Sequence, residues 1–356
     1  MTAMDNQNEL FTLVQALCSA SGVSGEESGA GAAVLGLLGA GSGAGIDSQG
    51  SVLYPLYQNP DKTAPHLMLE AHLDEIGMMA SRVDDNGFVH IAPCGGLDRR
   101  LLMGLEVLVH AQKAPEPLPG ILSACPADSD KTPKTSELFV DVGLCAQRAK
   151  ALICPGDRIT TVSPARQLLG TRVSSKALDN RAGCAVLLRA AQLLQGETLP
   201  CSVTLAFCSQ EETGGTGAKT AAFRVNPTHA LAVDVSFAYT PDAPRDECGD
   251  LGAGAMIGIA PILDNASVQL LRRLACQHEI PHQLEVLGSS TGTDADSIAP
   301  CRCGVKTSLV SVPLKYMHTP IEVVDLEDIE SCAQLLAQFA RNLGADPTDK
   351  EACRHG

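Results

Sequence analysis

Acids and histidines stand at the ends of several apolar segments, and that placing suggests chemistry. His66–Ala71 runs into His72-Leu-Asp74-Glu75, and Ser202–Cys208 into Ser209-Gln-Glu211-Glu212. His229–Val233 runs into Asp234, Thr307–Val312 leads to a loop holding His318, and Asp179 stands just before the apolar stretch Asn180–Gln195. Taken singly, each has a bland explanation. Asp179 alone reads as a helix N-cap, and His72 alone as a satisfied buried histidine. Taken together they do not. Carboxylates gathered without a counter-charge repel one another and raise one another's pKa, so a cation is required. Two imidazoles and three carboxylates suit a dinuclear divalent-metal cluster. Glu211 and Glu212 are adjacent and point apart, so one can ligate while the other stays free as a base.

An open α/β sheet would bring these groups to one rim, because ligands gather beyond the carboxyl ends of its strands. After Val162 the pattern alternates. Helical stretches are expected at Asn180–Gln195, Thr216–Phe223, Asn265–His278, Asp294–Ala299 and Leu326–Leu343. Strands are expected at Ser202–Cys208, His229–Val235, His282–Leu287 and Thr307–Val312, with Val52–Tyr57 and His66–Ala71 earlier in the chain. The fold class is therefore α/β, a mixed and mostly parallel sheet sandwiched by helices. Residues 78–162 differ in texture. Short β-like runs (Phe88–Ala92, Leu105–Ala111, Leu138–Val142) alternate with Pro- and Gly-rich turns, and Ala114–Lys134 reads as a mobile loop. The expected organisation is a discontinuous catalytic domain, 1–77 and 163–350, interrupted by a β-rich, barrel-like insert at 78–162, with 344–356 as a frayed tail.

Composition narrows the partners. A length of 356 residues suggests two domains. The formal charge of −15, without a basic run, argues against nucleic acid and anionic membranes. No Trp and 3% aromatic residues disfavour stacking of bases or sugars. Ser28–Ile46 is uncharged over nineteen positions, but seven are Gly, so a short helix ending near Gly39 is expected rather than a span. The fourteen cysteines are scattered, with no CxxC pair. Cys184, Cys201, Cys208 and Cys276 sit in apolar runs, where a thiol acts as a small hydrophobe. Cys301 and Cys303 are a weak zinc signal. Met1–Glu9 is polar, without a basic or apolar leader, so a reducing cytoplasm is expected.

Five ordered segments now take on meaning. Ala71-His-Leu-Asp-Glu-Ile-Gly77, Ala177-Leu-Asp-Asn-Arg-Ala-Gly183, Gln210-Glu-Glu-Thr-Gly-Gly-Thr-Gly-Ala218, Val233-Asp-Val235 and Tyr316-Met-His-Thr-Pro-Ile-Glu-Val-Val-Asp325 resemble the M42 family of metallo-aminopeptidases, from Gly22 to Phe339. The resemblance implies two divalent ions per subunit, Zn²⁺ or Co²⁺ with Mn²⁺ as a further choice, bridged by Asp179 and a water. His72 and Asp234 would complete one site, Glu212 and His318 the other. Glu211 would be the general base, and Asp74 would orient His72 through its other ring nitrogen. Short peptides would be the substrates. The family also implies an insert used for dimerisation, and dimers that build dodecamers. Three places depart from its pattern: Lys315 stands where Arg is usual, Cys125-Pro-Ala-Asp128 replaces a Pro-x-x-His-like stretch, and Ser236-Phe-Ala-Tyr-Thr-Pro lacks a Thr-His. Substrate contacts are expected from Thr293, Asp294 and Lys315.

Rival readings are weaker. Gly288-Ser-Ser-Thr-Gly292 fits a serine-hydrolase pattern with Ser290 as nucleophile, but leaves Asp179, Glu211, Glu212 and Asp234 unexplained. Paired acids also suit a glycoside hydrolase of endoglucanase type, yet no Trp offers a sugar platform. Gly214–Thr220 lacks the glycine spacing of a phosphate loop.

Overall fold

The structure, a computed structural model, describes residues 3–125 and 131–344, with the backbone alone for residues 3–6. An eight-stranded sheet forms its centre, in the order Gly45–Ile46, Val52–Tyr57, Ser202–Cys208, His66–His72, His229–Phe237, Lys306–Leu314, Ala255–Ile259, His282–Val286. The four strands from Ser202–Cys208 to Lys306–Leu314 are mutually parallel. They are almost wholly buried, as continuous apolar runs covered on both faces must be. The α/β class expected above is what forms. Helix Leu178–Leu193 has thirteen buried residues. It is buried nearly all round, which makes it a core helix, and it packs against helices Ala3–Ser19 and Leu326–Asn342. Each leucine buried there contributes roughly 1.5–3 kcal/mol. Helix Ser28–Leu38 ends at Gly39 as expected.

The sheet is mixed rather than parallel throughout. Ala255–Ile259, not anticipated as a strand, runs antiparallel to Lys306–Leu314 and parallel to His282–Val286. A second small sheet joins Arg166–Gln167, Arg172–Ser175 and Glu322–Asp325.

Six strands between Gly77 and Thr161 close a barrel, in the order Gly77–Val83, Val89–Cys94, Leu138–Asp141, Leu118–Ala124, Glu106–His110, Arg158–Thr161. Closure leaves no unpaired edge. Its interior is a separate core that includes Met78, Val89, Val109, Leu122, Val140 and Ile159. One expectation is corrected here. The stretch 114–134, read as a mobile loop, contains strand Leu118–Ala124, paired on both sides. Its Pro and Gly content hid it. Gly120 is needed because a Cβ there would stand 2.6 Å from Val140 Cγ1. Residues 126–130, with most of Cys125-Pro-Ala-Asp128, lie outside the described residues, as does the tail beyond Gly344.

Among the described residues thirteen cysteines are free. Cys184, Cys201 and Cys208 are buried as expected, but Cys276 is exposed. It closes an amphipathic helix, Asn265–Gln277, on the solvent side. No helix among the described residues is long and apolar enough to cross a membrane.

Candidate active site

The parallel register does the first part of the assembly. Cys208 pairs with His72, and Ala232 with Glu70, so Asp234 continues level with His72. Asp179 enters from the start of the core helix, where it and Asn180 leave helical geometry and their shared peptide is cis. Asn180 Nδ2 donates to Val233 O at 2.8 Å, tying this turn to the Asp234 strand. His318 arrives on the loop after Lys306–Leu314.

All five proposed ligands meet. His72 Nε2 lies 3.1 Å from Asp179 Oδ1 and 3.7 Å from Asp234 Oδ1. His318 Nε2 lies 3.3 Å from Asp179 Oδ2 and 3.5 Å from Glu212 Oε1. Asp179 therefore divides its oxygens between two groups, His72/Asp179/Asp234 and Asp179/Glu212/His318, and within each group the ligand atoms lie within 4.8 Å of one another.

The two acids given supporting roles sit beside them. Asp74 is fully buried, with Oδ1 3.4 Å from His72 Nδ1. It also accepts from Ser24 Oγ and from the backbone N–H groups of Glu211 and Glu212, at 3.0 and 3.2 Å. It therefore holds the Glu211–Glu212 turn as well as the imidazole. Glu211 is half-buried at that turn, within reach of the charges of His72, Asp234 and Asp179.

Glu322 has a role that the sequence reading missed. It is 1% exposed and accepts from Asp179 N at 3.1 Å and His318 N at 2.9 Å. One carboxylate thus clasps the backbone of two proposed ligands from different elements. A further unrecognised contact comes from the barrel. A Cβ at Gly95 would lie 3.1 Å from Glu212 Oε2, and one at Gly96 2.9 Å from His318 Nδ1. The adjacent glycines after strand Val89–Cys94 were the available signal.

The substrate-side expectations fare differently. Thr293 is half-buried and accepts from Ala295 N at 3.2 Å, just before a short helix. Lys315 is half-buried and pairs by its backbone with Val323. Asp294 is 2% exposed and lies against Glu70 and Cys208, so it lines no substrate surface in this structure. Burial pushes Glu70 up to about 8, and burial with the Glu70 charge pushes Asp294 well above the carboxylate range. Ser290 is exposed, and no hydrogen bond among the described residues joins it to a histidine, which removes the serine-hydrolase arrangement.

Electrostatics at the centre call for a cation. Burial pushes Asp234 upward. Burial and the Asp179 charge push Glu212 up to about 8. Burial would depress His72, but the Asp179, Asp234 and Asp74 carboxylates overrule it and hold the ring well above its usual range. His318 is raised to about 9, chiefly by Asp179. Two imidazoles are drawn into acting as counter-charges for too many buried acids. Divalent ions relieve that excess, and the N/O donor set suits them. The residues fit metal.

Residues 52–335 match the family model of the M42 glutamyl aminopeptidases. The chain belongs to the M42 family. A putative aminopeptidase of Acetivibrio thermocellus is 34% identical over 284 residues, covering 76% of this chain and 81% of that protein. Among solved structures, aminopeptidase APDkam598 from the archaeon Desulfurococcus kamchatkensis superposes with a TM-score of 0.87 at 32% identity, over 94% of this chain and 95% of that one. The Pyrococcus horikoshii TET1 peptidase, solved as a dodecamer, gives 0.82 at 27% identity, over 96% and 100%. M42 membership makes the chain a hydrolase of the aminopeptidase class that depends on divalent metal. The glycoside-hydrolase alternative is set aside on that ground.

Proposed function

We propose that this M42 protein is a dinuclear aminopeptidase that removes the N-terminal residue of short peptides. One observation carries the reading: Asp179 turns one oxygen to each of two ligand groups, as a bridging carboxylate must. His72, Asp179 and Asp234 would hold one ion, and Asp179, Glu212 and His318 the other. Divalent ions held there, Zn²⁺ or Co²⁺ with Mn²⁺ as a further choice, supply Lewis acidity toward a peptide carbonyl and toward water.

The chain's own groups do the rest. Glu211 takes the proton from the attacking water and returns it to the leaving amine. Burial raises its pKa in the metal-free chain, which favours proton uptake there. Asp74 keeps the His72 ring and the Glu211–Glu212 turn in place. The remaining acid surface favours a free α-ammonium, which makes the enzyme an exopeptidase.

We assign catalysis to 1–77 and 163–350, and dimerisation to the barrel at 78–162. The dodecamer of the P. horikoshii relative supports a homo-oligomer, and we propose that dimers build it. Its free thiols suit a reducing cytoplasm. The deciding experiment uses one short peptide with a free and with an acetylated N-terminus. Release from the free form, abolished by chelator and restored by Zn²⁺ or Co²⁺, is expected. Equal cleavage of the acetylated form would reject the exopeptidase reading.

A further inference from the structure

One carboxylate on the face of the metal centre has no part in the scheme above. Glu285 lies on the edge strand His282–Val286, at the far end of the sheet from Gly45–Ile46. Its register partner on the next strand is Gly258. Register partners share a face, and at Gly258 a Cβ would stand 3.1 Å from the Leu309 side chain, so glycine is what fits between the two strands. The Glu285 side chain nonetheless extends past this strand to the two beyond it. One carboxylate oxygen accepts from Ser236 Oγ and the other from Ser311 Oγ at 3.1 Å.

These serines locate the group. Ser311 is the register partner of Asp234, and Ser236 lies two residues beyond Asp234 on the same strand. Residues i and i+2 share a face, about 7 Å apart along a strand. The Glu285 carboxylate therefore spans the level of the proposed ligand Asp234 and one step outward from it, on the same face. It is half-buried, so solvent reaches it. Among the described residues no cation pairs with it, and serine hydroxyls cannot neutralise a charge. Burial, and then the Asp234 charge, push its pKa upward, as expected of an acid awaiting a counter-charge.

We propose that Glu285 receives the cationic side chain of the substrate's N-terminal residue, so that the enzyme favours Lys and Arg there over Leu, and disfavours Glu. The proposal rests on the aminopeptidase reading of the centre. Distance selects the side chain over the α-ammonium. The α-nitrogen is two bonds from the scissile carbonyl and must stay beside the metal ligands. A Lys or Arg stem spans the outward step, with its charge at the end. An acidic side chain would instead meet an uncompensated like charge.

The test is a panel of Lys, Arg, Leu and Glu anilides, run with metal-loaded wild type and Glu285→Gln. Wild type should turn over Lys and Arg at least tenfold faster than Leu in kcat/KM, with Glu slowest. In Glu285→Gln the Lys-to-Leu ratio should fall by about 10–100-fold, the size of losing one partner of a hydrogen-bonded charge pair. Glu285→Lys should raise the Glu-to-Leu ratio. The wild-type panel stands even where a variant misfolds. Chelator-sensitive turnover with no preference for Lys or Arg would overturn this proposal and leave the aminopeptidase reading intact. An equal loss on Lys and Leu substrates in Glu285→Gln would also overturn it, placing Glu285 on the α-ammonium or in the fold. No chelator-sensitive turnover of any anilide would overturn the underlying reading, and this proposal with it.

Discussion

Asp179 serves two histidines through two oxygens, and the charge around it has measurable consequences. In the metal-free chain Glu211 rises from 4.5 to about 7, Glu212 from 4.5 to about 8, and His318 from 6.5 to about 9. Each binds its proton more tightly folded than unfolded. Stability from these groups is therefore present at low pH and lost as pH rises between 4.5 and about 9. Asp179 is shifted down, so its own window lies below its ordinary 3.8. EDTA-stripped protein should show a Tm that falls from pH 5 to 9 in a thermal melt. Added Zn²⁺ or Co²⁺ should raise the Tm and flatten that slope. A flat profile in the stripped protein would show that the acids separate when no cation is bound. Glu211→Gln makes a separate demand. Metal analysis should find both ions retained while kcat drops by about 10²–10⁴, the usual share of a general base. Full activity would assign the base elsewhere. These residues were legible because acids and histidines ending apolar runs have few structural uses in common. Glu322 was not, since its role is to accept from two backbone amides far apart in sequence.

Elements hold these residues under strain. Ala177, Gln210, Tyr316 and His318 adopt φ of 58°, 59°, 61° and 61°, in the left-handed region. Such residues cost on the order of 1–3 kcal/mol each and persist where the surroundings over-determine them. Glu322 supplies part of that restraint at His318, and Asp74 at the turn after Gln210. The barrel supplies another part through Gly95 and Gly96. Gly96→Ala would set a methyl 2.9 Å from His318 Nδ1. It should weaken metal binding by about 10–100-fold, the scale of losing support around a ligand, with an unchanged far-UV CD spectrum. Titration of stripped protein with Co²⁺ would measure this, and wild-type affinity would show that the loop yields. Most strands of the α/β part were legible from their apolar runs. Leu118–Ala124 and Ala255–Ile259 were not. Pro and Gly interrupt the first, and the second is a short run whose partners are distant in sequence.

At the scale of the whole molecule, the α/β core and the barrel keep separate apolar interiors. They meet at the metal centre through the glycine loop. If the barrel dimerises the chain as proposed, assembly would be set beside the site. Mass photometry of purified protein should find a twelve-subunit species over a minor dimer. A monomer at all concentrations would reject the assembly. The −15 charge is partly assigned as well, since Asp179, Glu212 and Asp234 converge where two divalent ions would offset them. By itself the sequence determined the residue types, their order and their places at strand ends, because apolar periodicity and polar interruption are local properties. That sufficed for the α/β class and for naming five acids and histidines that the fold brings into two groups. Only the tertiary structure decided which carboxylates share a cavity. Asp294 lies behind the centre rather than on a substrate surface, Glu322 clasps two proposed ligands, and Glu285 reaches across the sheet to Ser236 and Ser311. The reason is physical: register and packing bring together groups that are tens to hundreds of residues apart, and no local pattern encodes those distances.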